Sequence, residues 1–314
     1  MEYQKNVDKI MEQMNRVIIG KTEKIEYVVL ALLASGHVLL EDVPGVGKTV
    51  LANTLAKTVD LSFGRIQFTP DTLPSDVVGV SIYNPKLGEF QYCEGAIMHN
   101  IVLADEINRT SPKTQASLLE AMEERQVSID GKIHKIAPPF MVIATQNPVD
   151  FLGTYNLPEA QLDRFMLRLQ MGYPSEEDEL IMALNYLGKP KQPFSPNVVD
   201  QETILHMQEE VKQVKIHSDL IQYVIEIING TRQHEQIFLG ASPRATLAVL
   251  SAARSKAYMK GRTYCIPDDI LQVLEVTLCH RLVLSMEAKM NKVKAVDLLN
   301  SIIRKKKVPI IKEK

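Results

Sequence analysis

Short apolar runs alternate with longer helical patterns through the first half of the chain. The runs are rich in Val, Ile and Leu, and such runs predict strands that are buried on both faces. Strands separated by helices are typical of an α/β fold, so we expect a five-stranded parallel sheet covered by helices. The predicted strands are His37–Glu41, Arg65–Phe68, Asn100–Ala104, Phe140–Ala144 and Phe165–Leu169.

Two segments break this alternation and predict β-hairpins inserted into the core. In the first, residues 81–92, a turn signal at Asn84–Gly88 is flanked by alternating residues. In the second, Gln126–Ile136, the dipeptide Asp130-Gly131 is a favoured two-residue hairpin turn. Both hairpins are expected to project from the sheet rather than extend it.

Helical periods dominate after Pro174. Ser175 and the acidic residues behind it predict a helix start, and the Pro-rich segment 188–196 predicts a linker. We therefore expect an α/β core over residues 1–187 and an all-α domain over residues 188–314. The main helices predicted there are Val199–Val214, Ser218–Asn229, Pro243–Lys260, Pro267–Arg281 and a last one from about Ala288.

Composition narrows the function classes. The length of 314 residues agrees with two domains. Lys and Arg number 36 and Asp and Glu 38, so a net charge of −2 gives no reason to expect nucleic acid. Cys93, Cys265 and Cys279 form no CxxC pair and favour a reducing compartment over disulfides or zinc. No apolar run approaches membrane-spanning length, and the polar N-terminus lacks a signal core, so we expect a cytosolic protein.

The segment Asp42–Thr49 lies between an apolar strand and a helix-forming stretch and resembles a phosphate-binding P-loop. In such loops glycines let the backbone approach the phosphates, the lysine reaches the β- and γ-phosphates, and the hydroxyl binds Mg²⁺. Asp42 departs from the pattern, which has glycine there, so it needs a different local conformation or its own side-chain hydrogen bonds. The predicted nucleotide-binding residues are Pro44, Gly45, Val46, Gly47, Lys48, Thr49 and Val50.

Polar residues also follow two later strands. Asp105 and Glu106 end the run Asn100–Ala104, where a P-loop NTPase needs one carboxylate for Mg²⁺ and one to polarise the attacking water. A solvated strand end is the alternative. In the segment Ala144–Pro148, Asn147 is a candidate to orient that water, and a proline-capped Asx turn is the alternative.

Five ordered motifs together resemble the MoxR family of AAA+ ATPases over essentially the whole chain. The resemblance implies a P-loop AAA+ core with a five-stranded parallel sheet, followed by an all-α lid, and assembly into a ring, as a hexamer, with ATP at each subunit boundary. The motifs are Asp42–Thr49, Leu103–Glu106, Ala144–Pro148, Leu157–Phe165 and Gly240–Ala245.

The resemblance also implies roles for single residues. Lys48 and Thr49 would form the Walker A pair, Asp105 and Glu106 the Walker B pair, with Thr49 and Asp105 at the Mg²⁺, and Asn147 would be sensor 1. Arg164 would be the arginine finger that reaches a neighbour's γ-phosphate, with a local salt bridge to Asp163 or Glu159 as the alternative. Arg244 would be sensor 2, and the sequence leaves open whether it serves its own nucleotide or a neighbour's.

These features predict a Mg²⁺-dependent ATPase that remodels, assembles or metal-loads client proteins. The resemblance suggests a partner with a von Willebrand factor A domain. A nucleotide-gated interaction module is the first alternative, because ATP binding without turnover would also use a P-loop. A DNA-acting motor is the second, although the near-neutral charge favours it less.

Overall fold

The computed structural model describes residues 2–43, 45–147, 154–188 and 193–310. The strands are β1 (Val38–Glu41), β2 (Phe63–Gln67), β3 (Gly79–Asn84), β4 (Glu89–Glu94), β5 (Ile101–Asp105), β6 (Gln126–Ile129), β7 (Lys132–Lys135), β8 (Met141–Gln146), β9 (Leu167–Leu169), β10 (Ile237–Leu239) and β11 (Val283–Leu284). The helices are α1 (Glu2–Val17), α2 (Thr22–Leu33), α3 (Lys48–Thr58), α4 (Pro74–Val78), α5 (Pro112–Glu124), α6 (Glu159–Leu162), α7 (Glu176–Leu187), α8 (Gln201–Gln213), α9 (Ser218–Arg232), α10 (Pro243–Met259), α11 (Pro267–Leu278), α12 (Met286–Met290) and α13 (Ala295–Arg304).

Five parallel strands form the central sheet in the order β2-β5-β8-β1-β9. Strand β1 lies between β8 and β9, with Val38 opposite both Ile143 and Leu167. Strand β5 lies between β2 and β8. The predicted five-stranded parallel sheet is therefore confirmed, although β8 runs two residues beyond its predicted end. Because all strands point the same way, every carboxyl end meets one edge of the sheet, which we call the carboxyl edge, and every amino end meets the opposite amino edge.

Two antiparallel hairpins correspond to the predicted insertions. Strand β3 pairs with β4, and β6 pairs with β7 across a turn in which Asp130 and Gly131 both have positive φ, as a two-residue hairpin requires. Within the first hairpin the rings of Tyr83 and Phe90 lie 5.4 Å apart, and both side chains are exposed. Tyr92 instead stacks on His134 of the second hairpin, with ring centroids 3.9 Å apart. The two hairpins thus contact each other through aromatic side chains.

The C-terminal region is helical, as predicted, with one short exception, the antiparallel pair β10–β11. Three helices differ most from the sequence expectation. Helix α9 runs three residues beyond its predicted end at Asn229, to Arg232. Helix α11 stops at Leu278 and continues as a 3₁₀ turn through Arg281. The last predicted helix is split into α12 and α13, because Lys292 adopts a left-handed backbone with φ 54° that an α-helix cannot contain. Of the predicted linker, residues 189–192 lie outside the described part of the chain.

Helix α2 joins the α/β core to the C-terminal helices. All seven of its residues from Tyr27 to Leu33 are buried, and the helix packs against α8 and α10 as well as α1. Side chains of those helices bond to its backbone: Gln208 Nε2 donates to Leu32 O at 2.7 Å, and Ser255 Oγ donates to Leu30 O at 2.9 Å. One apolar core therefore runs through both regions. The boundary near residue 188 stays a prediction.

Within the described residues, no helix combines the length and the apolar character that a bilayer crossing requires. The three thiols form no disulfide. Burial raises the pKa of Cys265 and of Cys279 to about 12, so both stay protonated at neutral pH.

Two buried histidines hold the amino edge of the sheet. His37, just before β1, accepts a hydrogen bond at Nδ1 from Val142 N at 2.9 Å, and its Nε2 lies 3.2 Å from Met122 O as the donor. Burial lowers the pKa of His37 from 6.5 to about 4. His280 donates from Nε2 to Phe165 O at 3.0 Å, and burial lowers its pKa well below 6.5. Both imidazoles are neutral in the folded chain.

We expect acidification to destabilise the fold through His37. Below pH 6.5 the unfolded chain binds a proton at this histidine that the folded chain does not bind until about pH 4, so stability falls as the pH falls through that window. Between pH 7 and pH 5 the His37 contribution is about 2 kcal/mol. Denaturant unfolding at both pH values, without nucleotide, should show a smaller loss for His37→Gln than for wild type. An equal loss in the two proteins would contradict the assignment.

Candidate active site

The loop between β1 and α3 has the backbone that a phosphate cradle needs. Gly45 and Gly47 have φ of 85° and 89°, which side chains with a Cβ rarely adopt, and a Cβ at either position would meet no other atom within 4 Å. The requirement for glycine is therefore conformational. Lys48 opens α3 and is buried, and its Nζ donates to Asp42 O at 3.0 Å. The lysine is folded back over the loop, and the N-terminus of α3 faces the same space.

Asp42 takes the place of the first P-loop glycine without a left-handed backbone, and its side chain is hydrogen-bonded. Its Oδ1 accepts from Val43 N at 3.2 Å, and its Oδ2 accepts from Gly172 N at 2.8 Å and from Met171 N. The carboxylate is buried. Of the two accommodations expected from the sequence, side-chain hydrogen bonding is the one found. These bonds tie the loop to the segment between β9 and α7.

Asp105 ends β5 with both carboxylate oxygens engaged. Oδ1 accepts from Thr145 Oγ1 at 2.7 Å, and Oδ2 pairs with Arg65 Nη2 at 2.7 Å. Thr145 is fully buried at the end of β8, and its hydroxyl also accepts from Glu106 N at 2.8 Å. One hydroxyl thus fixes both residues of the Asp-Glu pair, and Arg65 neutralises the aspartate.

Glu106 leaves the strand in a left-handed backbone with φ 58° and turns its side chain toward β2. Its Oε2 accepts from Gln67 Nε2 at 3.0 Å and from Arg109 Nη1 at 3.0 Å. Left-handed backbone is uncommon for glutamate and is typical of functional sites. These two contacts, both made within the same chain, hold the carboxylate at the rim of the site.

A cavity of about 430 Å³ lies at the carboxyl edge and brings most of the predicted residues together. Arg65 and Gln67, which the sequence analysis missed, also face it; their signal was the alternation of exposed polar residues along β2. Val46 packs against the apolar core instead, and Pro44 and Pro148 lie outside the described residues. The predicted residues that line the cavity are Gly45, Gly47, Lys48, Thr49, Val50, Asp105, Glu106 and Asn147.

The donor set in this cavity fits Mg²⁺. Thr49 supplies a hydroxyl and Asp105 a carboxylate, and Mg²⁺ in phosphate-binding sites is held by one or two carboxylates together with substrate phosphates and water. Within the described residues, no group of three or more His, Cys, Asp or Glu side chains could hold a metal ion on its own. A metal at this position would therefore depend on the phosphates.

Arg164 and Arg244 lie at the amino edge, away from the P-loop. Both pair with Glu123 near the end of α5: Arg164 Nη2 lies 3.1 Å from Glu123 Oε2, and Arg244 Nη2 contacts Glu123 Oε1. A second cavity, of about 270 Å³, opens beside them and is lined by residues that precede β1 and β9. The length of β1 alone, four residues at about 3.3 Å each, puts roughly 13 Å between this edge and the P-loop.

Asp163 fixes the chain next to Arg164. It pairs with Arg281, Nε to Oδ1 at 2.7 Å, and accepts a hydrogen bond from Ser242 Oγ at 2.8 Å. The alternative interpretation, a local salt bridge from Arg164 to Asp163 or Glu159, is not found among the described residues, because Asp163 pairs with the C-terminal region and Arg164 pairs with Glu123. The contacts join the loop before β9 to α10 and to the turn after α11.

Sequence models of two families match the chain. The ATPase family associated with various cellular activities (AAA) matches residues 37–167, and the AAA lid domain matches residues 229–302. The first match contains the P-loop and Arg164, and the second contains Arg244.

Individual proteins are similar over nearly the whole chain. The uncharacterized protein YeaC of Bacillus subtilis is 50% identical over 99% of this chain and 98% of its own length. Chaperone MoxR1 of Mycobacterium tuberculosis is 39% identical over 96% of this chain and 82% of its own length. A crystal structure of a candidate ATPase from Cytophaga hutchinsonii superposes with a TM-score of 0.92 at 36% identity, covering 98% of this chain and 96% of that chain. By these matches, the chain belongs to the MoxR family of AAA+ ATPases.

Proposed function

We propose that this ATPase hydrolyses ATP at the boundaries between protomers arranged head to tail in a ring, with six subunits as the family resemblance suggests. The observation that supports this proposal is that the predicted catalytic residues lie at two opposite edges of the sheet. Lys48, Asp105 and Glu106 lie at the carboxyl edge, whereas Arg164 and Arg244 lie at the amino edge. One protomer cannot bring the two sets together, but the amino edge of a second copy can meet the carboxyl edge of the first.

Each residue of the carboxyl edge has a distinct part in this proposal. Lys48 and the N–H groups at the start of α3 bind the phosphates, so Lys48 exchanges its bond to Asp42 O for a phosphate oxygen. Thr49 and Asp105 would hold Mg²⁺, which supplies positive charge that neutralises and orients the phosphates. Asp105 then gives up its pairing with Arg65.

Glu106 is the proposed base for the attacking water, and Asn147 orients that water with its amide. In the described arrangement Gln67 and Arg109 hold the Glu106 carboxylate, so hydrolysis requires it to leave at least one of them. Arg164 and Arg244 of the neighbour release Glu123 and stabilise the charge that develops on the γ-phosphate. The sequence left open whether Arg244 serves its own nucleotide or a neighbour's. In this proposal it acts on the neighbour's.

The work done with this energy is the remodelling, assembly or metal loading of client proteins in the cytoplasm. Support comes from the relative that is named as a chaperone and from the family resemblance, which favours a partner with a von Willebrand factor A domain. The exposed pair Tyr83 and Phe90 on the first hairpin offers a surface for such contacts.

Replacing Glu106 with Gln tests hydrolysis against nucleotide gating. We expect ATP binding within a few-fold of wild type and a turnover number lower by about 10²–10⁴, the range for loss of a general base. Steady-state phosphate release and fluorescent-nucleotide titration measure the two quantities. Glu120→Gln, an exposed carboxylate on α5, is the matched control and should keep wild-type turnover. Client activity that survives intact in Glu106→Gln would favour a gated interaction module.

Mixing two inactive variants tests the trans arginine. Arg164→Ala should bind ATP but lose about 10³–10⁵ in turnover. A 1:1 mixture of Arg164→Ala with Lys48→Ala, which keeps Arg164, should regain activity. Random assembly pairs an intact P-loop with an intact arginine at about one boundary in four. Arg304→Ala, an exposed arginine at the end of α13, is the control and should keep wild-type turnover. A mixture with no more activity than its components would contradict action in trans.

A further inference from the structure

Helix α7 exposes leucine side chains to solvent in the isolated protomer. None of its 12 residues is buried. Leu180, Leu184 and Leu187 follow the i, i+4, i+7 spacing of one helix face and are 60%, 60% and 82% exposed. We call these three residues the leucine stripe.

Two polar residues of α7 face the protein instead. Asp178 and Asn185 are partly buried, and both lie about half a turn away from the leucine stripe. Asp178 lies against Gly20 and bonds to Ser175 through the cap of the helix. A surface helix normally turns its apolar stripe to the core, and a line of exposed leucines marks an interaction site.

The position of α7 indicates which surface it contacts. The helix starts four residues after Gly172, whose N–H bonds to Asp42 at the start of the P-loop. The N-terminal end of helix α7 therefore lies near the P-loop, on the side of the carboxyl edge. If the head-to-tail assembly proposed above is correct, the surface that approaches this edge is the amino edge of the next copy.

That amino edge matches α7 in both polarity and charge. Met122, Met166 and Ala248 contribute to its cavity, and Leu247 stands at the rim, 66% exposed. Four arginines line the cavity, Arg125, Arg164, Arg244 and Arg281, against two carboxylates, Glu123 and Asp163, so the charge of its lining is positive. The first turn of α7, in contrast, is wholly acidic; its residues are Glu176, Glu177, Asp178 and Glu179.

We propose that the leucine stripe of α7 docks on a second copy of this chain, at the cavity beside Arg244, with Leu184 against Leu247. The contact is heterologous, because two different surfaces meet, so a growing assembly keeps a free α7 at one end and a free cavity at the other until the ring closes. The apolar contact then lies next to Arg164 and Arg244, which act on the nucleotide bound by the protomer that contributes α7. Docking of α7 and delivery of Arg164 and Arg244 then occur in one step.

A charge on the leucine stripe tests the docking. Leu184→Asp should weaken self-association about 10-fold or more, because it removes one buried leucine from the contact. Sedimentation velocity over a concentration series with a non-hydrolysable ATP analogue measures it. Tyr186→Asp, on the opposite side of the same helix and 90% exposed, is the matched control and should change association less than about threefold. Circular dichroism confirms that both variants are folded.

A cysteine pair identifies the occupant. In a Cys93→Ser background, Leu184→Cys combined with Leu247→Cys should form a ladder of disulfide-linked oligomers on mild oxidation, whereas each single variant should stay unlinked. The native Cys265 and Cys279 thiols are held protonated by burial and should not react. Cross-linking by Leu184→Cys alone would mean that α7 pairs with α7, and would overturn the proposal.

Two results separate this docking from the trans arginine. Normal assembly of Leu184→Asp without a ladder from the cysteine pair would overturn the docking and leave α7 to a client protein, even if the Arg164→Ala and Lys48→Ala mixture regains activity. A ladder from the cysteine pair without recovery in that mixture would keep the docking and contradict the action of Arg164 in trans.

Discussion

The parallel direction of the five strands is the constraint on which the rest of this structure depends. It gathers the P-loop, Asp105, Glu106 and Asn147 at one edge, since all of them follow strand ends. The same direction sends Arg164, which precedes β9, to the opposite edge. If the reaction needs both sets, as we propose, one protomer cannot complete the site and the chemistry requires self-association.

A few polar contacts fix the site before any nucleotide is present. Thr145 bonds to both members of the Asp-Glu pair, and Arg65 and Gln67 reach them from the neighbouring strand. Charge-assisted hydrogen bonds of this kind are stronger than neutral ones and hold side chains in defined positions. Glu123 has the corresponding role at the other edge, where it holds two arginines from distant parts of the chain. In the proposed reaction Asp105 and Glu106 must leave partners of this kind, and Glu123 must release its two arginines.

The sequence predicted the parts of the site that local patterns mark. The glycines and lysine of the P-loop, and the carboxylates after an apolar run, carry their context within a few residues. The alternation along β2 marks Arg65 and Gln67 as exposed polar residues, but their roles, like that of Glu123, depend on strand order and on contacts between remote segments. The break at Lys292 was missed for a local reason: no glycine or proline marks it. The leucine stripe was hidden too, because a periodic helix does not reveal which side faces solvent.

Asp42 couples two segments that a glycine would leave independent. Its carboxylate receives N–H groups from Met171 and Gly172, a few residues before α7 begins. Any movement of the loop backbone on taking up a phosphate must therefore either carry that segment along or break two hydrogen bonds to a buried charge, which costs several kcal/mol. The first outcome is much less costly. A residue that departs from the phosphate-loop pattern thus links the nucleotide site mechanically to α7, the helix that we propose to face the adjoining subunit.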